Sequence, residues 1–180
     1  MPVLLLGNGA STRAVTKSIR KLLDAVKLPV VETFQGAGIV SRELEEDTFF
    51  GRVGLFRNQP GDMLLKKADL VIAIGYDPIE YEARNWNAEI SARIIVIDVA
   101  QAEIDTYFQP ERELIGNIAD TIDLLLPAVN GYVLTKASVD YLQNLKKNVV
   151  EDVKFDRNSK EGLVHRLMLL MSYKKIQQMI

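Results

Sequence analysis

The first chemistry on offer in this 180-residue chain is a glycine turn. Gly7, Asn8, Gly9 and Ser11 follow the apolar run Val3-Leu4-Leu5-Leu6 and precede an amphipathic stretch. A turn at that place aims backbone N–H groups outward, where they can cradle a phosphate. It lacks the third glycine of the dinucleotide fingerprint, and a tight strand-to-helix turn demands glycine for its own sake. Asp98 closes a second apolar run, Arg93 to Asp98. Its carboxylate could accept hydrogen bonds from a ribose, or cap a turn. Gly7, Asn8, Gly9, Ser11 and Asp98 together make a candidate vestigial nucleotide pocket. Asp77, Glu80 and Glu82 offer carboxylates to a hard cation, but Pro78 interrupts them and no histidine lies near, so they read as surface acids. His165, the one histidine, has no acid or nucleophile within its own stretch. No nucleophile–base pair can be assembled, so no catalytic residue and no metal ligand is assigned. Tyr76 and Trp86 are flat enough to stack on a ligand and equally suited to packing against helices.

Behind these residues stands an alternation of strands and helices. Leu70-Val71-Ile72-Ala73-Ile74 is apolar without interruption, the mark of a strand buried on both faces of a parallel sheet. Ligands meet such sheets at the carboxyl ends of the strands, which here means Tyr76-Asp77-Pro78 and the residues just after Pro78. Val3 to Leu6, Pro29 to Thr33, Arg93 to Asp98 and Glu113 to Gly116 read as further strands. Val15, Ile19, Leu22, Leu23 and Val26 line one face of a helix from about Thr12 to Val26. Gln35 to Gly38 opens a turn or helix start. Ser41 to Gly61 reads as a long surface connection. Pro60 and Asp62 suit a helix start, giving a helix from about Gly61 to Ala68. Ile104 to Pro110 is a crossing segment. Asn117 caps a helix that Pro127 should end after Leu126.

The fold class is therefore α/β: a doubly wound, Rossmann-like sheet of about six parallel strands flanked by helices, plus a C-terminal connector helix. Residues 1–131 form the α/β domain. Residues 132–161 hold the connector helix, from Thr135 to about Asp152, and a polar linker from Lys154 to Glu161. Residues 162–180 begin something else.

Composition narrows the function classes. Hydrophobic residues make up 48% of the chain and charged ones 26%, with a net charge of −2. That balance supports a core and excludes a nucleic-acid partner. Apolar runs reach about six residues, against the roughly 20 needed to span a bilayer. The opening Val3 to Leu6 run lacks the basic start and cleavage site of a signal peptide. With no cysteine there is no disulfide, thiolate metal site or cysteine nucleophile. A cytoplasmic location is the expectation.

Long runs of the chain carry a resemblance. GRVGLFRNQPGDMLLKKADLVIAIGYDPIEYEARNWN, Gly51 to Asn87, closely resembles acetolactate synthases of the catabolic type. So do Pro29-Val30-Val31-Glu32-Thr33-Phe34-Gln35-Gly36-Ala37-Gly38, Gln109-Pro110 and Leu114-Ile115-Gly116, and the resemblance covers roughly Pro2 to Val129. It implies a thiamine-diphosphate- and Mg²⁺-dependent parent that joins two pyruvates into 2-acetolactate with loss of CO₂. The parent would have three α/β domains, and this chain is similar to the middle one. The expected partners are then the first and third domains of that enzyme, and the parent is expected to be a homo-oligomer, a tetramer. The thiamine-activating glutamate of the family lies in the first domain and its Gly-Asp-Gly…Asn cofactor motif in the third. The isolated chain should carry no cofactor and no catalysis. Biosynthetic relatives bind FAD in the middle domain and carry Arg-Phe-Asp-Asp-Arg after the central strand. From Gly75 this chain has Tyr76-Asp77-Pro78-Ile79-Glu80-Tyr81 instead, without either arginine in that register. An acid at Asp77 would repel a flavin diphosphate, so FAD is expected to be absent. Arg57, Asn58, Gln59 and Arg84 are candidate interdomain contacts.

The tail departs from the resemblance. Relatives continue a Gly-Leu-Val-His stretch into Pro-Leu, whereas Gly162-Leu163-Val164-His165 leads here into Arg166-Leu167-Met168-Leu169-Leu170-Met171-Ser172-Tyr173. One possible coding string for those eight residues reads Pro-Leu-Asp-Val-Ile-Asp-Val-Leu when one base is restored after the His165 codon. Arg166 to Ile180 is thus expected to be frameshifted, non-native sequence, unless it is a natural variant. The competing class is a free-standing Rossmann-like nucleotide-binding module using Gly7, Gly9 and Asp98. A third is an inhibitory subunit that assembles with full-length enzyme.

Overall fold

A computed structural model describes residues 1–54 and 59–152. Among them, six parallel strands form one sheet: β1 (Pro2–Leu6), β2 (Val30–Thr33), β3 (Phe49–Val53), β4 (Leu70–Ile74), β5 (Arg93–Asp98) and β6 (Arg112–Ile115), in the order β3-β2-β1-β4-β5-β6. That order is the doubly wound, Rossmann-like arrangement expected from the alternation of elements. The central pair is in continuous register from Pro2 opposite Leu70 to Leu6 opposite Ile74.

Because successive strand residues face opposite sides, β1 supplies both cores. Val3 and Leu5 join Val71, Ala73, Ile94 and Val96 on one face of the sheet. There they meet Leu64 and Leu65 of helix α3 (Pro60–Lys67). Leu4 and Leu6 join Val30, Ile74 and Ile97 on the other face. The apolar stripe of helix α1 (Arg13–Val26), from Val15 to Val26, covers them, with Ile118, Ala119 and Ile122 of helix α4 (Ile118–Val129). The Thr12 hydroxyl caps α1 by accepting from Val15 N–H, and the Asn117 side chain caps α4 by accepting from Ala119 and Asp120 N–H.

Two local expectations need correction. The stretch read as a surface connection holds helix α2 (Arg42–Thr48) and strand β3. Helix α2 is seven residues of mainly acidic sequence that bury only Leu44 and Thr48, too short and too polar to show a period. Strand β3 is an edge strand containing Gly51 at φ +106°, and its pairing with β2 shifts register between Val30 and Glu32. Neither clean alternation nor an apolar run survives there. Helix α4 also runs past Pro127 to Val129. Pro127 is exposed in the last turn, where the missing N–H costs one helical bond and the ring faces water.

Helix α5 (Lys136–Asp152), expected as a connector, packs Leu142 and Leu145 into the first core. The Tyr141 hydroxyl donates to the Met63 carbonyl (3.3 Å) and Lys146 Nζ to the Glu45 carbonyl (3.1 Å). The chain divides into two compact units, 1–149 and 150–180. The expected linker from Lys154 to Glu161, His165 and the tail from Arg166 to Ile180 lie outside the described residues, as do Arg57 and Asn58. No helix among the described residues is long and apolar enough to cross a membrane.

Candidate functional site

In a sheet of this order the crossovers reverse direction between β1 and β4, and the crevice at the carboxyl ends of those two strands is the place for a ligand. The glycine turn stands there, and its donors are already engaged. Gly7 N–H donates to the Ile74 carbonyl (3.1 Å) and Gly9 N–H to the Gly75 carbonyl (2.9 Å). Ala10 N–H and Ser11 N–H donate back into the turn, to the carbonyls of Gly7 and Asn8. The Ser11 hydroxyl donates to the Asn8 carbonyl as well, at 2.7 Å. Within residues 7–11 only Asn8 N–H reaches a side chain. Its acceptor is Glu80, at 3.0 Å.

The glycines allow backbone to lie on backbone. A Cβ on Gly7 would stand 2.4 Å from the Gly75 carbonyl oxygen, and one on Gly75, at φ +56°, would stand 2.3 Å from Ala10 N. The two strand ends are thus pressed together across the crevice.

The segment after β4 then doubles back over the sheet's carboxyl edge. Glu80 is only 8% exposed. Its second oxygen accepts from the hydroxyl of Thr33, at the end of β2, and that same hydroxyl oxygen accepts from Gly36 N–H at 3.1 Å. A Cβ on Gly54, just past β3, would meet the Glu80 carbonyl at 3.1 Å. Tyr76 Oη donates to the Tyr81 carbonyl, and Tyr81 Oη donates to Asp62 Oδ1. Asp62 Oδ2 in turn accepts from Gln59 N–H (2.8 Å) to close the first turn of α3. Trp86 Nε1 donates to Tyr76 Oη at 3.4 Å. Tyr76, Trp86 and Phe108 meet edge to face with centroids 5.4 to 6.4 Å apart. Burial pushes the Tyr76 phenol far above its usual pKa, so it remains a donor.

The residues singled out by type are thereby placed. Gly7, Asn8, Gly9 and Ser11 form one turn at the crevice. Asp98 ends β5, with β4 between it and β1, and its side chain accepts from Val99 N–H at 2.6 Å. Asp77 closes its own turn by accepting from Ile79 N–H, Glu82 pairs with Arg84 at 2.6 Å, and Glu80 is turned inward. Those three acids do not converge, and no group of three His, Asp or Glu among the described residues could hold a metal ion. Tyr76 and Trp86 pack on each other and on Phe108.

Two features escaped the sequence. The Asn8–Glu80–Thr33 tie joins residues 72 and 47 positions apart, and no local spacing reports it. Glu32, buried at the end of β2, accepts from Gly38 N–H (3.2 Å) and Val40 N–H (2.9 Å) and faces Arg52 at 3.6 Å. Burial raises its pKa, against the pull of those amides and of Arg52.

The comparisons with known proteins agree on one family. Residues 1–125 match the model for the thiamine pyrophosphate enzyme central domain. An acetolactate synthase of Bacillus subtilis is 42% identical over 170 residues, covering 94% of this chain and 30% of that protein. A catabolic acetolactate synthase of Raoultella terrigena is 37% identical over 81% of this chain and 26% of its own length. A probable acetolactate synthase large subunit of Methanococcus aeolicus is 25% identical over 82% of the chain and 24% of its own. The chain spans less than a third of the length of these relatives.

Proposed function

Because the chain belongs to the family of thiamine pyrophosphate enzyme central domains, we propose that it is the central, non-catalytic domain of a catabolic acetolactate synthase. Its work there is architectural. The observation that carries this reading is that the chain's own Tyr76 to Trp86 segment returns over the carboxyl edge of the sheet, buries Tyr76, Tyr81 and Trp86, and is tied to the ends of β1 and β2 through Glu80. Gly7, Asn8, Gly9 and Ser11 are then the remains of a nucleotide turn, with Asp98 apart from them. A free-standing nucleotide-binding module is not favoured.

In the parent, thiamine diphosphate and Mg²⁺ belong to the first and third domains, which are also this domain's partners within a homo-oligomeric, cytoplasmic enzyme. Arg84 and Gln59, with Arg57 and Asn58, are the proposed interdomain contacts. FAD has no place here: the crevice is occupied, and Asp77 stands where the flavin-binding relatives carry arginine.

Two measurements test the reading. The purified 180-residue chain, given pyruvate, thiamine diphosphate and Mg²⁺, should form no acetolactate, and turnover would overturn the non-catalytic assignment. Titration with ADP, NAD and FAD should leave the melting temperature unchanged. A ligand that bound the folded state at 100 times its Kd would add about 2.7 kcal/mol, a shift too large to miss.

A further inference from the structure

We propose that Glu80 is a built-in anion: its carboxylate occupies the anion position between the turn after β1 and the end of β2, and a free monocarboxylate of formate or acetate size can take that position once the side chain is shortened. This assignment stands whatever reaction the parent performs.

Three observations lead to it. Of the five N–H groups in the turn from Gly7 to Ser11, four are spent on backbone carbonyls, and the fifth, on Asn8, is directed to Glu80 Oε1 at 3.0 Å. The second carboxylate oxygen takes the Thr33 hydroxyl, whose orientation is set by Gly36 N–H. The two donors come from the ends of different strands and converge on a group that is more than nine-tenths buried. A buried carboxylate is retained only where donors are arranged for it. The same two donors, left in place, would be an empty anion cradle of one-carboxylate size.

The glycine contacts show how closed the turn is. Gly7 and Gly9 lie against Gly75 and Tyr76 so closely that a single added carbon would overlap the backbone. Four of the turn's N–H groups are spent on carbonyls, so a diphosphate finds no row of free donors along it, and the fifth meets the two-oxygen edge of Glu80. Glu80 therefore excludes nucleotides in two ways: it takes the donors, and it fixes the covering segment through its own backbone, with Glu80 N–H donating to the Asp77 carbonyl at 3.0 Å and Gly54 close beneath its carbonyl.

The experiment compares the full chain with Glu80→Ala and Glu80→Gln. The readouts are melting temperature and the ¹⁵N–¹H signal of Asn8, against formate, acetate and inorganic diphosphate, with chloride at matched ionic strength. In the unsubstituted chain, none of these anions should shift the Asn8 signal saturably. Glu80→Ala should melt lower, and formate or acetate should restore part of the loss saturably while moving the Asn8 signal; chloride should do neither. The proposal is overturned if Glu80→Ala melts with the unsubstituted chain and keeps its Asn8 signal, if neither formate nor acetate restores any of the loss, if chloride rescues as well as acetate does, or if diphosphate binds the unsubstituted chain and shifts Asn8. Should Glu80→Ala fail to fold, Glu80→Gln decides. It keeps the shape and one acceptor but loses the charge, so its Asn8 signal should move toward that of a weaker hydrogen bond, and an unmoved signal overturns the proposal.

Discussion

The two halves of the sheet end differently at their carboxyl edge. Over β1, β2 and β3 the edge is closed: Asn8, Thr33 and Gly54 each touch the returning segment at Glu80, and Tyr81 carries the tie on to Asp62 of α3. Around β5 and β6 it is bare. Val99 is 69% exposed, Ile104 68% and Ile115 44%. One half has satisfied its polar groups within the chain, although Ile79 at the tip of its returning segment is exposed, and the other presents apolar surface with no segment folded over it. A domain that completes its own fold closes the first kind of edge. The second kind is what a domain keeps where a larger protein surrounds it, in line with a chain that spans less than a third of its relatives.

The largest test of this contrast is Trp86→Ala. Trp86 is buried against Tyr76 and Phe108 in the first core, and aromatic-to-alanine changes in such places cost about 3–5 kcal/mol. Urea denaturation of the variant should show a loss of that size. A loss under about 1 kcal/mol would make the returning segment a loose flap, and the closed half would be closed in name only. Gly75→Ala comes next. The new methyl would meet the backbone of Gly9 and Ala10, and overpacking costs about 1–3 kcal/mol. The left-handed conformation of Gly75 adds about 1–2 kcal/mol for a residue with a side chain. A loss of about 2–5 kcal/mol is expected, with the Asn8 amide signal displaced. A neutral result would separate β1 from β4 at the crevice.

The closed half also explains why some elements were legible in the sequence and others were not. Leu70 to Ile74 announced a strand because every residue in it is apolar and both faces of the sheet are covered. Phe49 to Val53 did not, since an edge strand with a positive-φ glycine and an exposed arginine has neither pattern. The glycine turn was legible in its position after a strand but not in its purpose. Gly7 and Gly9 are needed by Gly75, a contact 66 and more residues away in the chain, and a ligand turn and a packed turn have the same local residues. The absent arginines after Gly75 carry only an expectation about flavin. They say nothing of the tie from Glu80 to Asn8 and Thr33, because that depends on the chain folding back over three strands it does not follow directly in sequence.

A third, smaller effect probes the closed half by pH. Burial holds the Glu32 pKa above its usual value near 4.5, so the folded chain binds this proton more tightly than the unfolded one. Stability from this group is then fully present below the unfolded pKa and is lost as pH rises through the folded pKa. Across that window the unfolding free energy should fall with pH, at no more than about 1.4 kcal/mol per unit for one proton. Glu32→Gln should remove that part of the slope. Near neutrality two effects oppose: the substitution removes a buried charge, a gain, while one of the Gly38 and Val40 amides loses its acceptor at a cost of about 1 kcal/mol. An unchanged slope would show that Arg52 and the amides cancel the burial of the carboxylate.

The smallest expected effect lies on the bare half, and it is the one that makes the contrast a comparison. Val99→Ser and Ile104→Ser remove apolar atoms that water already reaches, so little transfer free energy is at stake, and each change should fall within about 0.5 kcal/mol in urea denaturation of the 180-residue chain. Val99 N–H donates to the side chain of Asp98, a bond that the substitution leaves in place. In a full-length parent the same changes should cost more than they do here, because apolar area that is bare in this chain would then be covered. That inequality is the decisive reading. Equal, small effects in both settings would mean that this half faces water in the parent too. A loss in the isolated chain approaching that of Trp86→Ala would mean that Val99 and Ile104 are already part of a core, and the two halves of the edge would no longer differ.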